Sequence, residues 1–457
     1  MARQPTTRLH VSGYRFLVRR MEHALLRGDI GMLHPIRAQS ISLVVGCGIA
    51  AVVVAVCAML AFLRPNTPVG DSAIVMSRES GALYVRTDGI LHPVANLASA
   101  RLIVGNAAKP QLVNAAGIDS AKRGSLLGIP GAPDVIGKPL SANESGWAIC
   151  EDTTTTMIAG RAEQPGNSDA AVLVTARSES AATTYLLYDG RRALVDLRSP
   201  GVVWALRLDG IEPRAVSRAL LDAVPEAPPI VAPHLPDAGR PGAVPGLTVG
   251  TVVRVTRVAG DDFFVVLTDG IQRIGETAAN LIRSLHSQGS REILSVSPDT
   301  VAGVSLVDSL PVSTYPGRAT VPLGARDAGV LCAGWQPDGP KSAVWMEDSQ
   351  PDSTNSVELA QADGEGVNLD SVVMPAGRSA YVRAASLGRQ RGQSGPLYLV
   401  TDTGVLFGIR DEETAKMLGV EGDPVAAPWP LLARLPRGPE LGRDAALVAR
   451  DGIASPS

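Results

Sequence analysis

Aromatic, histidine and cysteine residues are scarce in this chain. Of its 457 residues only 4% are Phe, Trp or Tyr, six are His and four are Cys. Single-stranded nucleic acid is bound by basic grooves with aromatic stacking platforms, so the low aromatic content argues against nucleic acid as a partner. The histidines are scattered and lack the paired spacing of a zinc site, so we expect neither a metal nor another cofactor.

The common catalytic motifs are missing or incomplete. Residues 131–138 resemble a phosphate-binding loop, but five residues separate the glycines where four are needed, and Pro139 replaces the Ser or Thr that would hold magnesium. No G-x-S-x-G or S-x-x-K motif occurs. Asp261 and Asp262 directly precede a predicted strand and are interpreted as a polar loop. We therefore expect no enzyme, although a catalytic group assembled only by folding would escape this test.

Long hydrophobic runs are also absent, with one exception. Residues 41–63 contain 23 consecutive residues without a charge, between Arg37 and Arg64. A helix rises 1.5 Å per residue, so this length spans a hydrocarbon core of roughly 30 Å. Because a 40-residue charged arm precedes the run, we interpret it as a retained transmembrane anchor rather than a cleaved signal peptide.

Charge is distributed unequally on the two sides of this span. Residues 1–40 hold seven Arg against Glu22 and Asp29, a balance of +5, and the whole chain is −3, which leaves −8 for residues 64–457. The positive-inside rule predicts that the arm stays in the cytosol and that residues 64–457 are exported across the membrane. The acidic charge of the exported part also argues against nucleic acid.

The four cysteines divide in the same way. Cys47 and Cys57 lie within the span, and Cys150 and Cys332 lie in the exported part. An oxidising compartment favours disulfides, and two cysteines allow one intramolecular pairing. We predict a Cys150–Cys332 disulfide; two separate buried thiols are the alternative.

Four segments of the exported part share a pattern: an apolar strand, a tight turn of the Asp-Gly type, a second strand and a helical stretch. Asp-Gly is favoured in two-residue type I′ turns because both central residues need positive φ. In the fourth segment Asp411 is predicted to be the helix N-cap. Each segment is interpreted as a ββα repeat. The turns fall at residues 88–89, 189–190, 269–270 and 402–404.

The cysteines occur in register with these repeats. Asp88 and Cys150 are 62 residues apart, and Asp269 and Cys332 are 63 apart. The spacing indicates a duplication in which each half contains repeat, cysteine and repeat, and the halves meet in a central sheet. The second half is longer, so an insertion is predicted within residues 348–370. Seven prolines in residues 225–246 predict an extended connector.

These patterns predict nine regions along the chain. They are a cytosolic arm (1–40), a transmembrane helix (41–63), repeat domain 1 (72–128), the first part of a central domain (129–178), repeat domain 2 (179–224), the connector (225–246), repeat domain 3 (247–318), the second part of the central domain (319–390) and repeat domain 4 with the C-terminus (391–457).

Residues 6–29, TTRLHVSGYRFLVRRMEHALLRGD, followed by one span ending FLRP at residues 62–65, resemble the EccB family of type VII (ESX) secretion systems. The stretch GIPGAP at residues 128–133, the exported cysteines and the four repeats are similar too. The resemblance implies an α+β fold: a single transmembrane helix, then an elongated periplasmic region of four ββα-type repeat domains around a central β-rich domain with quasi-two-fold symmetry.

The resemblance also implies a function. We expect a structural core subunit of the type VII secretion inner-membrane complex that self-associates and assembles with the EccC ATPase, EccD and EccE. A membrane-anchored cell-envelope enzyme, hydrolysing nucleotides or peptidoglycan, or a wall-binding protein is the alternative.

The cytosolic arm is predicted to form a basic amphipathic helix from Ser12 to Gly28. Such a helix could contact an anionic membrane surface or a partner helix. The alternative is a solvated helix whose arginines only set topology. The predicted contact residues are Tyr14, Arg15, Leu17, Arg19, Arg20, Met21 and Leu25.

Overall fold

The chain forms two compact units, residues 1–70 and 71–457. The computed structural model describes residues 7–27, 34–62, 71–161, 170–177, 183–258, 260–286, 293–337, 342–350, 355–387 and 394–451. All elements and contacts given below belong to these residues.

The first unit contains two helices, α1 (Arg8–Arg27) and α2 (His34–Phe62). Within α2, residues Ser40–Leu60 are long and apolar enough to cross a membrane, with a mean hydropathy of 2.8. The helices predicted for the arm and for the hydrophobic run are therefore confirmed. Gly28 and Leu63, at their predicted ends, lie outside the described residues.

The second unit begins with a sheet built on three antiparallel strands, here named sheet 1. Its elements are β1 (Ile74–Ser77), β2 (Leu83–Thr87), β3 (Ile90–Val94), α3 (Leu97–Val104), β4 (Gln111–Val113), α4 (Ala115–Asp119) and β5 (Leu126–Leu127). The chain then crosses into the middle of the unit through β6 (Lys138–Pro139), β7 (Gly146–Glu151) and β8 (Thr155–Arg161).

Sheets 2 and 3 follow along the chain. Sheet 2 comprises β9 (Val172–Ala176), β10 (Thr184–Tyr188), β11 (Arg191–Leu194), α5 (Pro200–Ala205), β12 (Arg214–Val216), α6 (Arg218–Ala223) and β13 (Glu226–Ala227). Sheet 3 comprises β14 (Val252–Arg257), β15 (Gly260–Val266), β16 (Ile271–Ile274), α7 (Glu276–His286), β17 (Leu294–Ser295) and α8 (Pro298–Ala302).

The remaining elements complete the middle of the unit and sheet 4. The middle receives β18 (Val330–Trp335), β19 (Ser342–Glu347), β20 (Ser356–Glu358) and β21 (Ser371–Val373). Sheet 4 comprises β22 (Arg378–Ala385), β23 (Leu397–Thr401), β24 (Leu406–Ile409), α9 (Glu412–Leu418), β25 (Val425–Pro428) and α10 (Trp429–Leu432). The described chain ends with α11 (Arg443–Ala446) and β26 (Ala449–Arg450).

Sheets 1 to 4 have the same connectivity. Three antiparallel strands are followed by a helix, and the fourth strand returns to lie parallel to the first, as β4 does beside β1 and β25 beside β22. The same pairing joins β12 to β9 and β17 to β14. Each predicted ββα segment therefore corresponds to the second strand, the third strand and the helix of a larger unit that has four strands.

The hairpin turns match the prediction in sheets 1 and 2 only. Asp88 and Asp189 have φ of 52° and 46°, and the glycine after each also has positive φ, as a type I′ turn requires. The prediction was wrong for sheets 3 and 4, where four residues join the strands. In sheet 3 the N–H of Leu267 donates to the carbonyl of Gly270 at 2.9 Å, so Asp269 does not need positive φ.

A fifth, central sheet has the strand order β19-β18-β7-β8-β21-β20. Strands β7 and β18, one from each half of the chain, are antiparallel neighbours in this sheet. Strand β20 comes from the segment where an insertion is predicted and β21 directly follows that segment; both strands extend the sheet on the β8 side. Residues 351–354 of that segment lie outside the described residues.

Two predicted boundaries cut through sheets. β9 pairs with β10 along four residues, so the boundary at 178/179 separates strands of one sheet. β22 pairs with β23 along five residues, so the boundary at 390/391 does the same. The predicted connector also contributes to packing, because Ile230, Leu235 and Val244 are buried. Asp261 and Asp262, predicted to lie in a loop, are part of β15.

Helix ends in sheets 1 and 4 follow the sequence rules. The side chains of Asn96 and Asp411 accept the N–H groups of Ser99 (2.9 Å) and Thr414 (2.7 Å), which confirms the predicted N-cap at Asp411. Helices α3 and α9 stop at glycines with φ of 80° and 82°, the left-handed conformation that glycine adopts without strain.

Candidate functional site

The centre of the second unit is a disulfide across its middle strands. Cys150 of β7 and Cys332 of β18 are direct partners in the antiparallel register, with their Cα atoms 4.1 Å apart. Both side chains are fully buried, and the bond closes a loop of 182 residues. The predicted pairing of Cys150 with Cys332 is confirmed. Cys47 and Cys57, in α2, are free thiols.

Two helices cover the opposite face of this sheet. Side chains alternate along a strand, so Ile149 and Ala333 face away from the disulfide. They belong to one buried cluster with Leu220 of α6 and Leu431 of α10. Helices α6 and α10 pack against each other, and Arg434 donates to the carboxylate of Asp222 between them. The second helices of sheets 2 and 4 therefore meet on the central sheet.

A buried carboxylate ties β7 to sheet 2. Glu151, next to Cys150, is 1% exposed and lies 2.6 Å from the guanidinium of Arg177. Both of its carboxylate oxygens accept the backbone N–H of Ser217, the N-cap of α6, at 2.8 and 2.9 Å. Burial raises the pKa of this carboxyl, while Ser217 and Arg177 oppose that shift. Sequence reasoning missed this junction, because one Glu at the end of an apolar strand has no distinctive pattern.

The outer sheets are joined to the centre by chain segments that cross over. β6, which follows sheet 1, pairs in parallel with β22 of sheet 4. Leu323, which follows sheet 3, pairs in parallel with Val172 of sheet 2. At the first crossing Arg378 donates to the Glu144 carboxylate at 2.9 Å. Together with the hydrogen bonds from Ser141, this contact lowers the pKa of Glu144 to about 2.

Two hydrophobic clusters join the outer sheets in pairs. Sheets 1 and 4 share a buried cluster in which Ile74 and Leu102 lie with Leu399 and Leu418. The cluster of sheet 2 includes Leu281 of α7 from sheet 3. Correspondingly, α3 packs on α9, and α5 packs on α7. Near the C-terminus α11 packs on α3, and β26 adds a strand to sheet 1 by pairing with β5.

The predicted contact residues of the arm all lie on α1. One side of this helix carries Tyr14, Leu17, Met21 and Leu25, which are 57 to 83% exposed. The basic residues Arg15, Arg19 and Arg20 are also exposed on α1. Apolar side chains also lie elsewhere around the helix, where Phe16 is 48% exposed, so the apolar surface is wider than the predicted stripe.

The segment that resembles a phosphate-binding loop has a different local structure. Such a loop joins a strand to a helix whose N-terminal N–H groups hold the phosphates. Here residues 131–137 form a turn and irregular chain, and Lys138 begins β6, which is paired with β22. Among the described residues no group of three or more His, Cys, Asp or Glu side chains is placed to hold a metal ion.

Comparisons with known proteins assign the chain to a family. A family model described as type VII secretion system ESX-1, transport TM domain B, matches residues 3–455. The ESX-2 secretion system ATPase EccB2 of Mycobacterium tuberculosis is 36% identical, over 97% of this chain and 94% of that protein.

Solved structures agree in fold. A chain of an intact ESX-5 inner membrane complex, described as a composite C3 model, is 30% identical with a TM-score of 0.70 and covers 100% of this chain and 98% of its own. The EccB3 dimer from the ESX-3 core complex is 31% identical with a TM-score of 0.71, over 83% of this chain and 100% of that chain. This chain therefore belongs to the EccB family of type VII secretion systems.

Proposed function

We propose that this chain is a structural subunit of an ESX inner-membrane complex, in which its single span anchors a multi-copy scaffold that supports protein export. The match over the full length to a chain of an intact ESX-5 inner membrane complex carries the proposal. The match to an EccB3 dimer supports self-association.

We infer that the second unit contains four repeat domains around a central domain, related by a quasi-two-fold axis between β7 and β18. This symmetry would exchange sheet 1 with sheet 3 and sheet 2 with sheet 4. The shared connectivity of the four sheets supports it, as do the matching crossings at β6 and Leu323. Because β9 and β22 pair within sheets 2 and 4, we place the starts of repeats 2 and 4 before these strands.

We place the arm in the cytosol and residues 71–457 in the periplasm. The charge of +5 on residues 1–40 supports this orientation through the positive-inside rule. The buried disulfide also suits an oxidising compartment. The partners we propose are the EccC ATPase, EccD and EccE. The exposed apolar side of α1 around Leu17 and Met21 is the proposed docking surface of the arm.

We assign nucleotide hydrolysis to the EccC partner rather than to this chain. The matched relative carries ATPase in its name. In this chain, however, Lys138 lies in a paired strand and Pro139 follows it, an arrangement that lacks the helix N-terminus and the magnesium-binding hydroxyl of a phosphate loop. An exchange of Lys138 for Ala should therefore leave the ATP turnover of the purified complex unchanged.

Affinity purification in mild detergent tests the proposal. The tagged full chain should copurify with EccC, EccD and EccE in an assembly that contains several copies of the chain. Met21→Glu should release cytosolic partners and leave self-association intact, whereas Phe16→Glu, on another side of α1, serves as the matched control. Recovery of a lone monomer with hydrolase activity would overturn the proposal and favour the envelope-enzyme alternative.

A further inference from the structure

Trp204 is displayed at the surface, unlike the other tryptophans. Its side chain is 54% exposed, whereas Trp147, Trp335 and Trp345 are at most 3% exposed and Trp429 is half-buried. It lies in the last turn of α5, and the guanidinium of Arg283, on α7, is 5.7 Å from its ring centre. Trp and Arg are among the residue types enriched at the hot spots of protein interfaces.

The indole forms one wall of a groove between α5 and α7 with a volume of about 290 Å³. Arg207, Asp209 and Asn280 also line it. Glu276 lines it too, but its carboxylate is held by Arg318 at 2.7 Å. With Glu276 held by Arg318, the guanidinium groups of Arg207, which lines the groove, and Arg283, which lies over the indole, stand against the single carboxylate of Asp209.

Arg207 occupies a backbone position that suits glycine. Its φ is 56°, in the left-handed region that is costly for a long side chain. Leu208 donates back to the carbonyl of Val203 at 2.8 Å, as Val420 does to Ala415 at 3.0 Å in sheet 4. In sheet 4 the residue between helix and donor is Gly419. Sheet 2 therefore retains an arginine side chain at the groove at a conformational cost that sheet 4 avoids.

The inserted segment of the second half has the opposite character. Residues 348–370 contain six acidic residues and no Lys or Arg. Val367 is 44% exposed and Glu365 is exposed beside it. The shape of this loop is fixed by Asp370, whose carboxylate accepts the N–H groups of Asp363 (2.9 Å) and Gly364 (2.8 Å). It is an acidic loop held by internal hydrogen bonds, with an apolar residue at its surface.

We propose that residues 362–370 of one copy of this chain dock into the Trp204 groove of a neighbouring copy, with Val367 on the indole and Glu365 at Arg207. The opposite charges of loop and groove select this occupant. Because the two surfaces differ, the contact is head-to-tail and repeats from copy to copy, closing into a ring when the rotation permits. The inference rests on the self-association proposed above.

Cross-linking between two singly substituted chains tests this geometry. The full chain in detergent would carry Cys47→Ser and Cys57→Ser together with either Arg207→Cys or Glu365→Cys, each with its own tag. A short bismaleimide should link the two variants when they are mixed and should link neither to itself. Val135→Cys, 71% exposed in another part of the unit, replaces either partner as the control. Failure of the mixed pair to exceed this control would overturn the proposal.

A glycine substitution separates the proposed role of Arg207 from a structural one. Arg207→Gly relieves the left-handed strain, so the melting temperature should hold or rise. Self-association measured by sedimentation should nevertheless weaken about tenfold, as a lost hot-spot contact of ~1.4 kcal/mol would give. Arg207→Glu should weaken it further, and Glu365→Arg should restore it in the same chain. Unchanged sedimentation of Arg207→Gly would contradict the proposal.

These outcomes are distinct from failure of the proposed function. A multi-copy complex that still forms with Trp204→Ala and Arg207→Glu would refute the groove contact alone. A wild-type chain that is monomeric and copurifies with no secretion component would refute the function itself.

Discussion

At the residue scale, stability depends on a few side chains that join parts of the chain distant in sequence. The Cys150–Cys332 bond links strands from the two halves, Glu151 holds the N-terminus of α6, and Arg378 holds Glu144 at the crossing of β6 with β22. The disulfide joins the two halves of the chain within the central sheet, and the other two contacts each join an outer sheet to the centre. Removal of these contacts should weaken the attachments between distant parts of the chain rather than the pairing within any one outer sheet.

Removal of the disulfide tests the first of these joints. Cys150→Ala combined with Cys332→Ala should lower the free energy of unfolding by roughly 3–5 kcal/mol, because the bond restrains a long loop in the unfolded chain. Urea denaturation followed by tryptophan fluorescence measures this change. Cys47→Ala with Cys57→Ala is the matched control and should leave the transition of the second unit in place. An identical urea midpoint in both double variants would contradict the role of the bond.

The Glu144 carboxylate predicts a pH dependence. Its pKa is lowered from 4.5 to about 2 by Arg378 and Ser141, so its stabilising contribution is complete above pH 4.5 and is lost as pH falls through about 2. The difference in melting temperature between wild type and Glu144→Gln should therefore be largest above pH 5 and should shrink towards pH 2. Asp119→Asn, at an exposed i,i+4 pair with Arg123, is the control. A difference that grows on acidification would contradict this prediction.

The residue scale also shows what the sequence could predict. The Cys150–Cys332 pairing followed from compartment and count, because only two cysteines lie outside the span. Glu151 and Arg207 could not be identified, since their significance lies in burial and in backbone conformation. Both properties are set by tertiary contacts that no local pattern records.

At the element scale, helices α6 and α10 are central because they seal one face of the central sheet against water. Leu220 of α6 is fully buried in that cluster, so Leu220→Ala should cost about 2–5 kcal/mol of unfolding free energy. Chemical denaturation measures the loss. Leu112→Ala is the matched control, since that leucine is 47% exposed on edge strand β4 and should change stability by less than about 1 kcal/mol. Equal losses from both substitutions would contradict the packing described for α6.

Elements with a strong local signal were predictable, and short ones were not. The hairpins around Asp88 and Asp189, the apolar helix α2 and the N-cap of α9 all followed from patterns of neighbouring residues. The return strands β4 and β17 have three and two residues, too few to show a periodicity. They exist because the first strand of each sheet offers an edge for parallel pairing, which is a tertiary effect.

At the scale of the whole molecule, the chain combines a basic arm and an apolar helix with a large unit whose middle sheet takes strands from both halves. The duplication of repeat and cysteine predicted this meeting of halves at Cys150 and Cys332, as the register confirms. The crossing of β6 to sheet 4 could not be predicted, because a strand of two residues has no sequence pattern that indicates which strand it pairs with. The full-length family match places this architecture within the EccB proteins.

Depletion of this chain tests its role as a scaffold most directly. Membranes from its native host, with and without the chain, would be solubilised in mild detergent and separated by native electrophoresis, and the EccC ATPase would be detected. We predict that EccC leaves the large assembly when the chain is depleted and returns when the wild-type chain or the Lys138→Ala variant is supplied. A large EccC assembly that is unchanged without this chain would contradict the account.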